Sequence, residues 1–168
     1  MCKLRMNDFY YGAFLSALLN TSGSRPVLFD ETGSRRIYLL ETNNAGECYV
    51  FAKYVTGKSA DDKNRWLWTF NFTDAEVLRI QELYQVRGNV KLALICVKDG
   101  FADSELAVIN YGEAMDCMGV EKGVKNFRIN IKTAGGQHGL RMYGSGRSDK
   151  INGKDNTLVV TRKALEDL

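Results

Sequence analysis

The sequence predicts an α/β fold, with α+β as the alternative, in which a mixed central sheet of about five to eight strands is flanked by two or three helices. Three observations predict this class. Several short segments are rich in aromatic and β-branched residues, as strands are. Two longer segments repeat apolar residues with the period of a helix. The 168 residues, 45% of them apolar and 26% charged, suffice for a single domain over residues 1–168 that buries a core without disulfides or a structural metal.

The first predicted helix begins at Asn7 or Asp8, because either side chain accepts hydrogen bonds from the free backbone N–H groups of a helix N-terminus. Tyr10, Phe14 and Leu18 then recur at every fourth position and form one apolar face. After this helix a loop is expected around the single proline, which lies at position 26.

A β-hairpin is predicted next. Residues 36–40 and 47–55 are rich in aromatic and β-branched residues, and the sequence between them suits a tight reversal. Residues 66–72 form a third predicted strand, in which Trp66, Trp68, Phe70 and Phe72 share one face. Four large aromatic rings on one face have to be covered, and we expect a helix to pack over them.

The following segment contains such a helix. Residues 73–76 make a capping box, and Val77, Ile80 and Leu83 continue with helical spacing. Residues 91–97 are almost continuously apolar, which is typical of a central strand covered on both faces. A returning strand over 106–109 and a short helix that ends before Gly119 complete this part of the chain.

The last third of the chain alternates differently. In residues 127–132, Arg128, Asn130 and Lys132 lie opposite three apolar side chains. Two shorter strands are expected over 140–143 and 157–161, with a polar loop between them. No repeat or linker divides the chain.

Several kinds of site are excluded or disfavoured. The four cysteines are too far apart in sequence for a zinc knuckle or a dithiol pair, and we expect thiols in a reducing, cytoplasmic compartment. His138 is the single histidine, so sites that need two imidazoles are excluded, and its Gly-rich setting favours a polar loop. The sequence contains no phosphate-binding loop, signal peptide or apolar run of membrane-spanning length, and no membrane contact is expected.

Positive charge is concentrated near the C-terminus. Residues 121–168 carry 10 lysines and arginines against 5 acidic residues, whereas the rest of the chain carries 13 against 15. Cations gathered in this way suit a polyphosphate, so DNA or RNA is the expected partner. Glycines near position 147 would allow a close approach to it. The predicted contact residues are Arg128, Lys132, Arg141, Arg147, Lys150 and Lys154.

The order of helix, hairpin, third strand, helix and central strand over residues 7–97 resembles the core of the PD-(D/E)xK nuclease superfamily, the restriction-endonuclease-like fold. The resemblance implies a nuclease-like core over about residues 7–118, followed by a basic extension over about 121–168. Four strings of the chain also look like an uncharacterised prokaryotic family, which implies no particular activity: Tyr49-Val50-Phe51-Ala52-Lys53, Trp68-Thr69-Phe70, Ile95-Cys96-Val97-Lys98-Asp99-Gly100 and Tyr111-Gly112-Glu113.

Nucleases of this superfamily place an acid two positions before a lysine on one strand, where carboxylates hold Mg²⁺ and the lysine activates water. Here Lys53 is in a suitable strand, but Phe51 replaces the acid. Glu47, Glu41 and Asp30 are the remaining acidic candidates, and Glu47 is about 20 Å from Lys53 along an extended strand. Either Lys53 is functional, or its stem packs on the sheet and its ammonium reaches solvent at an edge.

Three functions follow. The first is a nucleic-acid-associated domain of nuclease-like architecture that lacks a standard metal site, and for this domain no cofactor is predicted. The second is a protein-interaction or regulatory module, anchored by partly exposed aromatic residues such as Trp66 and Trp68, whose partner is another protein or a second copy of the chain. The third is an atypical hydrolase that holds Mg²⁺ through Asp30, Glu41 and Glu47.

Overall fold

The computed structural model describes residues 2–21, 23–32, 35–42, 46–59, 65–133, 139–163, 165–166 and 168. These residues contain three α-helices, α1 (Met6–Thr21), α2 (Asp74–Arg87) and α3 (Tyr111–Met118), and a 3-10 turn at Val120–Lys122. The strands are β1 (Arg25–Thr32), β2 (Arg35–Thr42), β3 (Gly46–Thr56), β4 (Lys58–Ser59), β5 (Trp66–Phe72), β6 (Val90–Val97), β7 (Glu105–Asn110), β8 (Phe127–Thr133), β9 (Leu140–Gly144), β10 (Lys150–Ile151), β11 (Lys154–Asp155) and β12 (Leu158–Val160). The fold is α+β.

Sheet A is mixed and has the strand order β1-β2-β3-β6-β7. Its first three strands form an antiparallel meander. The chain then crosses over through β5 and α2 and returns as β6, which runs parallel to β3 and antiparallel to β7. As expected, β6 is a central strand and is buried along almost its whole length.

Sheet B is antiparallel throughout and has the order β12-β9-β8-β5-β4. A separate two-stranded hairpin, β10-β11, lies between β9 and β12 in sequence. It occupies the segment for which a polar loop was predicted. The alternation predicted for β8 is confirmed for Ile129 and Ile131, which are fully buried, and for Arg128, which is exposed on the opposite face. Asn130, on the same face as Arg128, is also buried.

Sheet A is covered on both faces, so the core has two parts. On one face α1 inserts Tyr11, Phe14 and Leu18. The other face packs against α2, α3 and the inner face of sheet B. There the ring of Phe72 lies 6.1 Å from that of Phe51, and the indole N–H of Trp68 donates to the carbonyl oxygen of Val97 at 2.9 Å.

Two expectations about the architecture are corrected. The segment around Pro26 is not a loop but the edge strand β1, where a proline without an N–H group is tolerated. A register shift between Leu28 and Asp30 interrupts its alternation. In addition, β5 is not a third strand of the central sheet, because it pairs with β8 in sheet B, and sheet A covers much of its aromatic face.

All four cysteines are free thiols, as predicted; Cys2 is exposed and the other three are buried. Burial raises the pKa of Cys48 and Cys96, and it raises the pKa of Cys117 to about 11. Among the described residues, no helix combines the length and the hydrophobicity that crossing a membrane requires.

These thiols give a first test of the fold. Because the thiolate is the reactive form and three thiols are buried, we expect a disulfide reagent at mildly alkaline pH to modify one thiol promptly. The other three should react only after denaturant is added. Prompt modification of two or more thiols in the folded protein would contradict the burial described for Cys48, Cys96 and Cys117.

Candidate nucleic-acid interface

The outer face of sheet B carries the densest group of predicted contact residues. Along β8, alternation places Arg128, Asn130 and Lys132 on the face opposite Ile129 and Ile131. Arg128 is exposed and Lys132 is partly exposed, but Asn130 is buried, at 4% exposure. On β9, Arg141 lies opposite Lys132 in the strand register, and Tyr143 lies opposite Asn130. Residues directly opposite one another on antiparallel strands have Cβ atoms about 5 Å apart. The outer face of sheet B, as used below, consists of Thr69, Asn71, Arg128, Asn130, Lys132, Arg141 and Tyr143.

Two cations of this face form ion pairs with the β10-β11 hairpin. The ammonium of Lys132 lies 3.6 Å from the carboxylate of Asp149, and the guanidinium of Arg141 lies 3.9 Å from that of Asp155. Both contacts are at the long end of the ion-pair range and partly exposed to solvent. Arg128 is exposed, and within the described part of the chain no carboxylate lies within ion-pair distance of it. Counting only the described residues, the face therefore has one cation without an ion pair, Arg128, and two cations in partly exposed ion pairs.

The hairpin carries the other two predicted cations of this region. Lys150 is opposite Asp155 in the register, and Lys154 is opposite Ile151. Both lysines are exposed, and neither forms an ion pair with a carboxylate that the structure describes. These lysines extend the positive charge beyond the edge of sheet B. The same segment carries Asp149 and Asp155, which contact Lys132 and Arg141 of the sheet.

Arg147 lies away from this face. Its guanidinium donates to the carbonyl oxygen of Asn156 at 2.7 Å and pairs with Asp116 of α3 at 3.3 Å. The neighbouring glycines also have another role than the one expected. A Cβ atom at Gly144 would collide with the backbone of Arg128 and Cys117. Glycine is therefore required there for the close packing of β9 against β8 and α3.

Uncharged groups complete the outer face, although the sequence predicted no contact role for them. The Thr69 hydroxyl donates to the side-chain oxygen of Asn130 at 2.9 Å, and the Asn71 side chain is exposed. The Lys132 ammonium lies 5.2 Å from the centre of the Tyr143 ring. Burial raises the pKa of the Tyr143 hydroxyl, Asp149 adds to the rise, and Arg128 opposes it. The sequence did contain a signal for Tyr143. In the strand predicted over 140–143, alternation places Tyr143 on the same face as Arg141.

Lys53 is enclosed and does not reach solvent, contrary to one of the two expectations for it. Its side chain is 10% exposed, and its ammonium donates to both carboxylate oxygens of Glu76, at 3.0 and 2.9 Å. A third hydrogen bond, of 2.6 Å, goes to the carbonyl oxygen of Asn71. The ring centre of Phe72 lies 5.0 Å away. All three N–H groups of the ammonium are thus used.

The carboxylate that pairs with Lys53 also caps α2. One oxygen of Glu76 accepts from the Thr73 backbone N–H at 2.9 Å, and the Glu76 N–H donates to the Thr73 hydroxyl at 3.1 Å. This reciprocal pair is the predicted capping box. Lys53 therefore ties β3 of sheet A to the end of β5 and the start of α2. The contacts describe a structural cross-link.

The acidic candidates for a metal site are not assembled around Lys53. Glu41 and Glu47 are opposite each other near the far ends of β2 and β3. Asp30 lies opposite Ile37, about 13 Å along the sheet from Glu41, and pairs with Arg79 at 3.4 Å. Among the residues that the structure describes, no three His, Cys, Asp or Glu side chains are grouped as metal ligands would be. His138 lies outside the described residues.

The protein-interaction hypothesis used both tryptophans as a partly exposed anchor, and this is wrong for Trp68 but not for Trp66. Trp68 is fully buried, and Trp66 is half-buried and stacked on it with ring centres 6.0 Å apart. A search for similar proteins returned no matching family model, curated protein or solved structure. What the chain does is therefore inferred from its own residues, and among these the outer face of sheet B is the best candidate site.

Proposed function

We propose that this chain binds DNA or RNA through the outer face of sheet B and does not cleave it. The observation that supports this is the placement of Arg128, Lys132 and Arg141 on one face of two paired strands. Hydrogen-bonding groups of Thr69, Asn71 and Asn130 lie on the same face. Phosphates would contact the cations, and base edges would contact the Asn71 amide and the Thr69 hydroxyl. Asn130 is buried and positions that hydroxyl.

The carboxylates of the hairpin do not prevent this binding. Exposed ion pairs contribute about 0–1 kcal/mol, so Lys132 and Arg141 can exchange Asp149 and Asp155 for phosphate oxygens at small cost. Each phosphate that is neutralised also releases condensed counterions, which favours binding at low salt. Lys150 and Lys154 then add charge at the rim.

Binding without cleavage is proposed because the metal-ligand candidates are dispersed and Lys53 is fully engaged by Glu76 and Asn71. A nuclease-like core remains part of the proposal. It is supported by a helix, an antiparallel meander and a crossover to a parallel strand in sheet A. The nuclease-like order has a third strand after the hairpin, and in this chain that strand, β5, belongs to sheet B instead of sheet A. Three buried thiols without disulfides support a cytoplasmic location.

The test is the affinity for short labelled single strands and duplexes, measured by fluorescence anisotropy between about 50 and 200 mM salt. We expect binding that weakens steeply with salt. The Arg128→Glu variant should bind about tenfold more weakly, because it replaces an exposed cation of the face with an anion. The Arg128→Ala variant should lower the slope of log affinity against log salt by about 1.

Arg25→Glu is the matched control. Arg25 is also exposed, but it lies on β1, the outer strand of sheet A, and the same change in net charge there should leave the affinity within about twofold of the parent. If the parent binds neither nucleic acid at low salt, or if both charge reversals weaken binding equally, the outer face of sheet B is not the binding site.

A further inference from the structure

An apolar groove lies on the side of sheet A that faces away from sheet B. Its volume is about 440 Å³. One wall is the N-terminal half of α1, the floor is the end of β6, and the second wall is the turn between β6 and β7. The side chains that matter below are Met6, Phe9, Tyr10, Ile95, Val97 and Phe101.

The apolar surface continues beyond the groove onto a crest. Phe9 is 59% exposed, and Met6 and Leu4, which lie just before it in the chain, are also more than half exposed. The second wall ends in Phe101, which is 56% exposed. Such a patch is larger than isolated surface residues would produce, and patches of this kind mark interaction surfaces. A small ligand inside the groove would leave the crest in water.

The turn holds Phe101 in this position at a conformational cost. Phe101 has φ = 67°, in a region that residues other than glycine, asparagine and aspartate rarely occupy. Asp103 has φ = 58°, which aspartate tolerates. The Ser104 hydroxyl fixes the turn by accepting from the Lys98 N–H at 3.0 Å and donating to the Phe101 carbonyl oxygen at 2.9 Å. The Phe101 ring lies 5.5 Å from that of Tyr10, across the groove.

Opposite charges flank the two walls. Lys3 is exposed and lies three residues before Met6, which lines the α1 wall. Asp99 and Asp103 are exposed and bracket Phe101 at the other wall. Within the described residues, none of these three groups forms an ion pair. Each wall therefore has a free charge that complements the opposite wall.

We propose that this groove and crest form the contact between two copies of the chain. In a twofold dimer the same patch meets itself, so the crest of each copy enters the groove of the other. The α1 wall of one copy then faces the β6-β7 turn of its partner, which places Lys3 near the acidic pair on the other chain. A second copy covers the crest as well as the groove.

This contact is independent of nucleic-acid binding. The groove lies on the α1 side of sheet A, whereas sheet B packs on the opposite side. In the dimer, the outer face of sheet B therefore stays exposed on each of the two chains. Loss of the dimer should not abolish binding of a nucleic acid to a single chain, and loss of nucleic-acid binding should not affect the dimer.

The test is the mass of the purified full chain, measured by light scattering and sedimentation equilibrium over a range of micromolar concentrations. We expect a species of twice 18.9 kDa that dissociates on dilution. Phe9→Glu should raise the dissociation constant at least about tenfold, because it places a charge on the crest. Leu78→Glu is the matched control, since Leu78 is 56% exposed on α2 and lies outside the patch.

A charge exchange tests the orientation of the two copies. Asp99→Lys alone should weaken the dimer, and Lys3→Glu added to it should restore much of the loss. Asp99 is used because Asp103 has a positive φ that lysine tolerates poorly. A chain of 18.9 kDa at every concentration would overturn the proposal, as would equal effects of the Phe9 and Leu78 substitutions. A double variant no better than Asp99→Lys would overturn the twofold arrangement.

Discussion

Replacing Lys53 with methionine is expected to lower the free energy of unfolding by about 3–5 kcal/mol. The substitution leaves the buried carboxylate of Glu76 without its counter-ion, and it removes the hydrogen bond to Asn71 that joins β3 to β5. A buried charge without a partner costs more than the pair contributes when intact. Urea denaturation should show a lower midpoint with an unchanged slope.

The double variant Lys53→Met with Glu76→Gln separates the two causes. Glutamine can still accept from the Thr73 N–H, so the capping box is kept while the buried charge is removed. We expect this variant to recover most of the lost stability. The single variant Lys53→Met should also bind nucleic acid as tightly as the parent, when both are measured at a temperature where the variant is folded. Full stability of Lys53→Met, combined with lost binding, would make Lys53 a binding residue and not a cross-link.

Replacing Gly144 with alanine is expected to destabilise the protein by about 3 kcal/mol or more. The added Cβ atom would overlap the carbonyl oxygens of Arg128 and Cys117. Both are backbone atoms, and neither can move away as the end of a flexible side chain would. Accommodation would require β9 to separate from β8 and α3, with loss of the 2.8 Å hydrogen bond from the Gly146 N–H to the Cys117 carbonyl oxygen.

Gly12→Ala is the matched control for Gly144→Ala. Gly12 lies inside α1, and no atom of another described part of the chain lies within 4 Å of the position its Cβ atom would take. Alanine is favoured over glycine inside a helix by about 1 kcal/mol, so this variant should be more stable than the parent. Thermal denaturation of the two variants gives the comparison. Equal, small effects would mean that β9 is not packed as closely as described.

The sequence predicted the elements whose patterns are local. The β2-β3 hairpin, the capping box at Thr73 and the buried strand β6 each follow from neighbouring residues and are confirmed. The edge strand β1 was missed because Pro26 and the register shift interrupt its alternation. The place of β5 was missed because its partner strand is distant in sequence, and residue periodicity carries no information about such pairing.

The candidate site was predicted in part for the same reason. Alternation alone placed Arg128 and Lys132 on one face of β8, whereas the position of Arg141 opposite Lys132 depends on the register with β9. The sequence marked Lys53 as unusual but could not identify its partner. Glu76 was recognised as a capping residue, and its second role depends on the packing of α2 against sheet A.

Chemical-shift mapping with a short single-stranded oligonucleotide at low salt tests the central claim most directly. The backbone amides of β8 and β9 near Arg128, Lys132 and Tyr143 should shift most, and those of α1 and β1 should shift little. Saturable shifts confined to the outer face of sheet B are the predicted result. No shifts at low salt, or the largest shifts on sheet A, would contradict the assignment of this face to nucleic acid.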